Sequence, residues 1–428
     1  MGGSGHPPSP PRLRANVKFT LRRVTPAHIY VATQGVVGVL FATAYTTYGV
    51  YAVRTAGLGP LELVLVGTAL ELSVTLAEVP TGVVADVYSR RLSVIIGLSV
   101  IGLGFMVMGS VPTFGGLAGG SILMGIGYTF ISGAHQAWLA DEIDEAPVAP
   151  IYLRGTQLGQ LGRVAGVPLG VALASLDLRL PMVASGAGYW LLAGILIVVM
   201  PERRYTPVAE RHAGAWRAMR ITLRDSITTV RERPALVSIL AIALLCGMSG
   251  EGLGRLAPLH FLDTVGLPER FSEATWFGVL NGGTFLGAAL ITALAGRMAA
   301  GDDARRLMQV LLGLTMLMMG ATFLFAVAPG FWPALFGFWI ARWVRLAMHP
   351  FVIAYVNRGL APGVRATVLS MVGQADAIGE VCGGPTLGLV ASLRSVRTAL
   401  TVSASLLLGA VVLCVRALPR GRRAAVGS

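Results

Sequence analysis

The sequence predicts an all-α, polytopic membrane protein in which twelve transmembrane helices form two pseudo-symmetric bundles of six. Three observations predict this class: a low charge content, twelve long apolar runs, and a similarity between the two halves of the chain. Of the 428 residues, 54% are hydrophobic and only 13% are charged, about half the charged fraction that is usual in soluble domains. Such a composition cannot cover a water-facing surface, so lipid is expected to be the main solvent.

The apolar runs define the expected elements, because a helix that crosses a bilayer needs about 20 mostly apolar residues. Twelve runs qualify, at about 28–53, 61–85, 92–112, 114–139, 152–176, 181–200, 235–262, 273–298, 306–328, 331–357, 366–391 and 397–416. The bundles are therefore expected at 25–200 and 235–417. Residues 1–24 and 418–428 are expected to be cytosolic tails, the first of them disordered. Residues 201–234 are expected to form a cytoplasmic linker that contains an amphipathic helix.

Basic residues indicate the orientation of these spans. The net charge is +13, with 34 Lys and Arg against 21 Asp and Glu. Of the 34 basic residues, 25 lie on the side of the termini and the long linker, and five lie on the opposite side. This asymmetry follows the positive-inside rule and places both termini in the cytoplasm, with the chain in a bacterial inner membrane. The same distribution argues against a nucleic-acid partner.

An internal repeat relates the two halves. Shifting span 5 by 217 residues onto span 11 superposes Gln157 on Gln374, Gly162 on Gly379, Gly166 on Gly383 and Pro168 on Pro385, and Arg163 on Glu380. Repeats of this kind are typical of transporters. The alternative is that Gly and Pro are simply common in membrane spans.

Ionisable residues inside the spans are the candidate functional groups, because a charge at bilayer depth usually faces a cavity or a partner. Spans 3, 6, 9 and 12 have uncharged interiors and are expected to be lipid-facing supports. The remaining spans supply the residues expected to line a cavity for substrate and proton coupling: Glu71, Arg163, Glu251, Arg255, Arg342, Arg345, Asp376 and Glu380.

Spacing divides these residues into groups. Glu251 and Arg255 are four apart and are expected to form an ion pair, which either serves transport or only fixes helix packing. Asp376 and Glu380 are also four apart, an arrangement that suits a proton-binding site if an Arg lies nearby. Arg163, Arg342 and Arg345 are the candidate counter-charges. Glu71 has no partner on its own helix.

Polar and aromatic residues of the spans could contact a substrate. Tyr and Trp also serve as interface anchors in membranes, which is the alternative interpretation. The candidate contacts are Gln34, Tyr45, Tyr48, Tyr128, Trp138, Gln157 and Gln374. The cysteines, Cys246, Cys382 and Cys414, all lie in apolar runs, so neither a disulfide framework nor a metal site is expected.

The connection between spans 2 and 3 carries a signature. From Glu78 the chain reads EVPTGVVADVYSRR, which resembles the loop 2–3 motif of the major facilitator superfamily. Val87 replaces the usual Arg and Ser89 the usual Gly. The matching residues are Gly82, Asp86, Arg90 and Arg91. We expect Gly82 to allow close approach of a neighbouring helix.

The resemblance implies a transporter fold with a cytoplasmic latch. In this interpretation Arg90 pairs with Asp86 and with Asp141 at the end of span 4. The alternative is that Arg90 and Arg91 only enforce topology. The segment GRVAGVPLG of span 5 further resembles a motif of drug–proton antiporters.

These patterns favour a proton-coupled exporter of a small drug-like or metabolite molecule that works by alternating access. The alternative is a proton-coupled symporter that imports a nutrient or organic anion. No metalloprotease, nucleophile-elbow or phosphate-loop motif supports an enzyme. The expected partners are the substrate, protons and lipids. No cofactor is expected, and a monomer is expected because one chain supplies both halves.

Overall fold

The computed structural model describes residues 25–143, 147–205, 224, 227–299, 303–358, 360 and 362–418. Twelve long helices account for most of this part of the chain. They are α1 Pro26–Thr55, α2 Pro60–Val87, α3 Arg90–Ser110, α4 Phe114–Glu142, α5 Ala149–Ala174, α6 Leu180–Val199, α7 Pro234–Val265, α8 Glu273–Met298, α9 Ala304–Val327, α10 Phe331–Val356, α11 Pro362–Leu393 and α12 Val396–Ala417. The expected all-α architecture is confirmed. Residues 1–24 and 419–428 of the predicted tails, and residues 206–223, 225 and 226 of the predicted linker, lie outside the described residues.

Short polar residues and prolines set where many of these helices begin. The side chains of Thr25, Ser89 and Thr113 each accept a hydrogen bond from a backbone amide in the first turn of α1, α3 and α4. Such caps satisfy amides that have no partner within the helix. Pro60 and Pro234 occupy the first positions of α2 and α7, where proline costs no hydrogen bond.

Two helices end in a wider turn. The last part of α1, Tyr51–Thr55, and the last part of α7, His260–Val265, are π-helical. These are the first helices of the two halves, so the same irregularity recurs at corresponding places.

Eight of the twelve helices are long and apolar enough to cross a membrane by composition alone. The other four are α5, α8, α10 and α11, which contain between 26 and 32 residues. Three of these four carry the charged residues predicted at mid-span, and this lowers their hydropathy. A helix of this kind can cross a bilayer if it is long enough and if its polar groups are shielded from lipid. The chain is therefore a multi-pass membrane protein.

Helix packing repeats between the halves. In the N-terminal half α1 packs on α5, and α3 packs on α4 and α6; in the C-terminal half α7 packs on α11, and α9 packs on α10 and α12. Gly162 and Gly166 of α5 lie against the backbone oxygens of Gly35 and Val39 of α1. Their repeat partners on α11, Gly379 and Gly383, lie against the backbone of α7. The glycines of the 217-residue repeat thus serve the same close approach twice.

The two halves meet at one end of the bundle, which we call the sealed end; it carries the α1–α2 and α7–α8 connections. There the Asn281 amide donates to the Thr46 carbonyl at 3.0 Å. Gly388 of α11 lies close to Leu61 of α2. The opposite end, with the α2–α3 connection, is called the open end. The part of α2 near the open end has exposed apolar side chains: Leu76 is 68% exposed and Val79 is 65% exposed.

Candidate functional site

Two adjoining cavities lie in the middle of the bundle. The larger, of about 780 Å³, lies mainly within the N-terminal half, and the smaller, of about 310 Å³, lies between the halves. Tyr45, Glu71 and Arg255 line both cavities. Of the eight residues predicted from sequence to line a cavity, seven line one or both of these cavities, and Asp376 lines neither.

The larger cavity has walls of different chemistry. Helices α1 and α5 supply a polar wall with Gln34, Thr156, Gln160 and Arg163. Helices α3 and α4 supply an apolar wall: Val94, Leu98, Ile101, Met124 and Ile131. Tyr189 of α6 also lines this cavity. Spans 3 and 6 were predicted to be lipid-facing supports, and the cavity lining shows that they contribute to a cavity wall as well, because an uncharged helix can present an apolar face to a cavity.

The acidic pair of α11 is joined by one arginine of α10. Arg345 Nη2 lies 3.1 Å from Asp376 Oδ2 and 2.7 Å from Glu380 Oε1. Its Nη1 donates to the Cys246 carbonyl of α7 at 2.7 Å. The repulsion expected between acids four residues apart is therefore relieved from a neighbouring helix. Of the three candidate counter-charges, the structure brings Arg345 to this pair.

The predicted pair on α7 is present, with Arg255 Nε 3.0 Å from Glu251 Oε1. Glu251 is only 6% exposed, so its charge is compensated within the protein. A Cβ at Gly67 of α2 would clash with both the Glu251 carboxylate and the Arg255 guanidinium. Gly67 thus makes room for the pair at the junction between the halves, a role that sequence reasoning missed.

Three charged side chains of the cavities have no ion-pair partner among the described residues: Glu71, Arg163 and Arg342. Arg163 faces the ring of Phe41, with 5.2 Å between the guanidinium carbon and the ring centroid. Arg342 lines the smaller cavity, and its buried Nε lacks a hydrogen-bond partner. Bilayer-depth charges without partners indicate a solvated or ligand-binding space.

The predicted substrate contacts separate into two groups. Gln34, Tyr45, Tyr48 and Tyr128 line one or both cavities. Three others do not, and these predictions need correction: Trp138, Gln157 and Gln374.

Orientation explains each correction. Trp138 is buried in the core of the N-terminal half, stacks on His135 and donates to the Pro201 carbonyl at 2.6 Å. Gln157 and Gln374 are exposed and turned away from both cavities. Sequence depth did not reveal on which face of α5 or α11 each amide lies.

The signature residues cluster at the open end. Arg90 forms an ion pair with Asp141, donates to the Ala137 carbonyl at 3.0 Å and lies 3.9 Å from Asp86. The expected contacts are therefore present. Gly82 does not have the expected role, because a Cβ there would meet no atom within 4 Å.

The segment after α6 completes this cluster, and sequence reasoning missed it. Glu202 accepts hydrogen bonds from the Ser89 hydroxyl at 2.6 Å and the Arg91 amide at 3.0 Å. The Tyr205 hydroxyl donates to the Asp86 carbonyl at 2.7 Å. Burial raises the pKa of Tyr205, which keeps this donor protonated. The available signal was Glu202 itself, an acid directly before two arginines in a basic segment.

Comparison with known proteins agrees with this architecture. The family model described as the Major Facilitator Superfamily matches residues 30–338. The uncharacterized MFS-type transporter YxaM of Bacillus subtilis (strain 168) is 22% identical over 359 residues, which are 82% of this chain and 86% of the relative.

Solved structures show the same fold at low sequence identity. The nucleoside transporter NupG superposes with a TM-score of 0.73 and 13% identity, over 92% of this chain and 99% of that one. A bacterial homologue of the human lysosomal transporter Spinster, inward-facing and unoccupied, gives a TM-score of 0.70 and 16% identity, over 92% and 95% of the two chains.

Proposed function

Because the chain belongs to the major facilitator superfamily, we propose that it is a proton-coupled exporter that moves a small molecule by alternating access. One observation carries this proposal: the carboxylates of the cavity region outnumber the cations that pair with them. Arg345 alone serves both Asp376 and Glu380, and Glu71 has no ion-pair partner among the described residues.

A carboxylate that has no cation of its own suits proton binding. An uncompensated carboxylate at bilayer depth is costly, and a proton removes that cost without a metal or a second arginine. One proton on Asp376 or Glu380 would leave the other acid paired with Arg345. Glu71 lies where the two cavities adjoin, so its protonation can respond to substrate in either cavity.

One end of the bundle is closed in the described state. The concentration of basic residues near the open end supports a cytoplasmic position for that end, and the closed end would then face the outside. A substrate entering from the cytoplasm would compete with a proton for Glu71, and this competition gives antiport. The apolar wall of α3 and α4 and the volume of about 780 Å³ favour a molecule with a sizeable apolar body.

Import by symport is the second candidate, and one observation favours it. Arg163 and Arg342 lack acidic partners in the described part of the chain, so they suit an anion that enters together with a proton. Export and import are distinguished by the direction of the imposed pH gradient that causes the compound to accumulate.

The experiment replaces Glu71 by Gln. A dye and drug panel is first screened for efflux in an efflux-deficient host, and one transported compound is then measured in proteoliposomes with an imposed pH gradient. Wild-type protein should move the compound against its gradient, and a protonophore should stop it. Glu71→Gln should lose gradient-driven transport but retain exchange of labelled for unlabelled compound, because exchange needs no net proton transfer.

Glu78→Gln is the matched control. Glu78 lies on the same helix, seven residues nearer the open end, and is exposed. This variant should transport as the wild type does. Gradient-driven transport at wild-type rate in Glu71→Gln would remove Glu71 from the mechanism. Accumulation in the direction of proton entry would favour symport.

A further inference from the structure

The larger cavity presents one uncompensated charge of each sign. We propose that its ligand is a small zwitterion, with an anionic group bound to Arg163, a cationic group bound to Glu71 and an apolar body between them. The inference rests on the proposed function, because it names the substrate class of the same site.

The other ionisable groups that line this cavity are Arg255 and His135. Arg255 is neutralised by Glu251 at 3.0 Å. His135 is buried between aromatic rings, with centroids 4.6 Å from Tyr30 and 6.0 Å from Trp138, and its Nε2 has no hydrogen-bond partner among the described residues; such surroundings favour the neutral imidazole. Glu71 and Arg163 are therefore the charges left for a ligand.

The two charges lie at one level of the bundle. Glu71 is eleven residues from Pro60, where α2 begins at the sealed end, and Arg163 is eleven residues from Ala174, where α5 ends there. With a rise of 1.5 Å per residue, each lies about 16 Å from the sealed end. Because α2 packs on α4 and α5 packs on α1, the two side chains reach the cavity from different walls.

The remaining lining of this cavity suits an apolar body. Leu98 and Ile101 of α3 and Met124 of α4 line the cavity, as do Phe41 and Tyr189. The ring of Phe41 also lies against the Arg163 guanidinium, which orients that group and leaves its donors available. An anion is held best by such an arginine, since several donors converge on one carboxylate or phosphate.

A ligand with only one charge would satisfy this cavity incompletely. A monoanion leaves Glu71 without a cation, and a monocation leaves Arg163 without an anion; either uncompensated charge is costly once the ligand has displaced solvent from the cavity. A zwitterion compensates both. Its cationic group also takes the place of a proton on Glu71, which links ligand binding to proton release.

Binding to the purified full chain in nanodiscs, without a proton gradient, tests this inference. The probes are two zwitterions of different charge separation, 4-(aminomethyl)benzoate and 4′-(aminomethyl)biphenyl-4-carboxylate. Each is compared by calorimetry with two analogues in which either the carboxylate or the aminomethyl group is replaced by methyl. At least one zwitterion should bind about tenfold or more tightly than both of its singly charged analogues, since a tenfold change corresponds to only about 1.4 kcal/mol.

Two variants assign the charges. Arg163→Gln should reduce the affinity of the zwitterion to that of the amine analogue, and Glu71→Gln should reduce it to that of the carboxylate analogue. Arg154→Gln is the control, because Arg154 is exposed on the same helix and lines neither cavity; it should bind as the wild type does.

Several results would overturn the inference: no binding of either zwitterion, equal affinity for a singly charged analogue, or an unchanged zwitterion preference in Arg163→Gln. These outcomes are separable from failure of the proposed function. A zwitterion preference without gradient-driven transport contradicts proton coupling alone, whereas proton-driven transport without that preference contradicts the substrate class alone.

Discussion

Glu202 is a single side chain that connects two segments at the open end. It lies just beyond α6, yet its carboxylate accepts two hydrogen bonds from the start of α3. One comes from the backbone amide of Arg91 in the first turn, and the other from the hydroxyl of Ser89, which caps that helix. A negative charge is favourable there, because amides without helical partners and the helix dipole both present positive charge. Glu202 thus holds the signature loop and the start of the linker together.

Replacing Glu202 by Gln should lower the stability of the detergent-solubilised protein by about 1–2 kcal/mol, since one charged acceptor and its interaction with the helix terminus are lost. The measurement is the midpoint of thermal unfolding, followed by tryptophan fluorescence. Glu269→Gln, at an exposed acid of the α7–α8 connection, should leave the midpoint unchanged. Equal midpoints for both variants would show that Glu202 does not fasten this junction.

At the scale of the helix, α5 shows how a polar element is accommodated in the membrane. One face carries Gly162, Gly166 and Gly170, whose missing side chains allow contact with the backbone of α1. Arg163 lies next to this stripe and faces the cavity. Close packing on one face and a cavity with a polar wall on another together explain why a helix of modest hydropathy can cross the membrane within the bundle.

Gly166→Ala should therefore be destabilising, although alanine is intrinsically the better helix former by about 1 kcal/mol. A Cβ at residue 166 would clash with the Val39 carbonyl, and overpacking of this kind typically costs about 1–3 kcal/mol. Gly194→Ala is the matched control, because a Cβ there meets no atom within 4 Å. The prediction is a lower thermal midpoint for Gly166→Ala and an unchanged or higher one for Gly194→Ala; the reverse order would contradict the packing described.

Sequence patterns predicted the elements far better than their rotation. The apolar runs placed α3 and α6 within a few residues, because transfer free energy depends on composition along the chain. They did not reveal that Leu98, Ile101 and Tyr189 line a cavity, because lipid and an apolar cavity wall impose the same composition. The site was likewise predictable as a set of charges at mid-depth, but three arginines were equivalent by depth, and only packing selects Arg345 for the acids of α11.

At the scale of the whole molecule, ion pairs at the sealed end join the two halves. Arg54 at the end of α1 pairs across the junction with Asp263 at 3.0 Å and Glu273 at 2.9 Å, both from the C-terminal half. All three side chains are substantially exposed, so their attraction is screened by solvent and salt. Such a contact can bias an equilibrium between two open states without locking either one.

Arg54→Gln should shift the population towards opening at the sealed end. The distance between spin labels at Leu176 and Glu269 reports this change and is measured by double electron–electron resonance in a background without the three native cysteines. The two positions are suitable because they are exposed and lie on opposite halves. A longer-distance population should grow in Arg54→Gln. Arg179→Gln, at an exposed arginine of the same end, should keep the wild-type distribution. An unchanged distribution in Arg54→Gln would show that the ion pairs do not contribute to closure.

The π-helical turns that end α1 and α7 also bear on the ancestry of the chain. A π turn accommodates one more residue than an α turn over the same path, as a single inserted codon would provide. Its presence in the first helix of each half is most simply explained by one insertion in a six-helix precursor, inherited twice when that gene duplicated and fused. A relative with the extra residue in only one half would argue for two separate events.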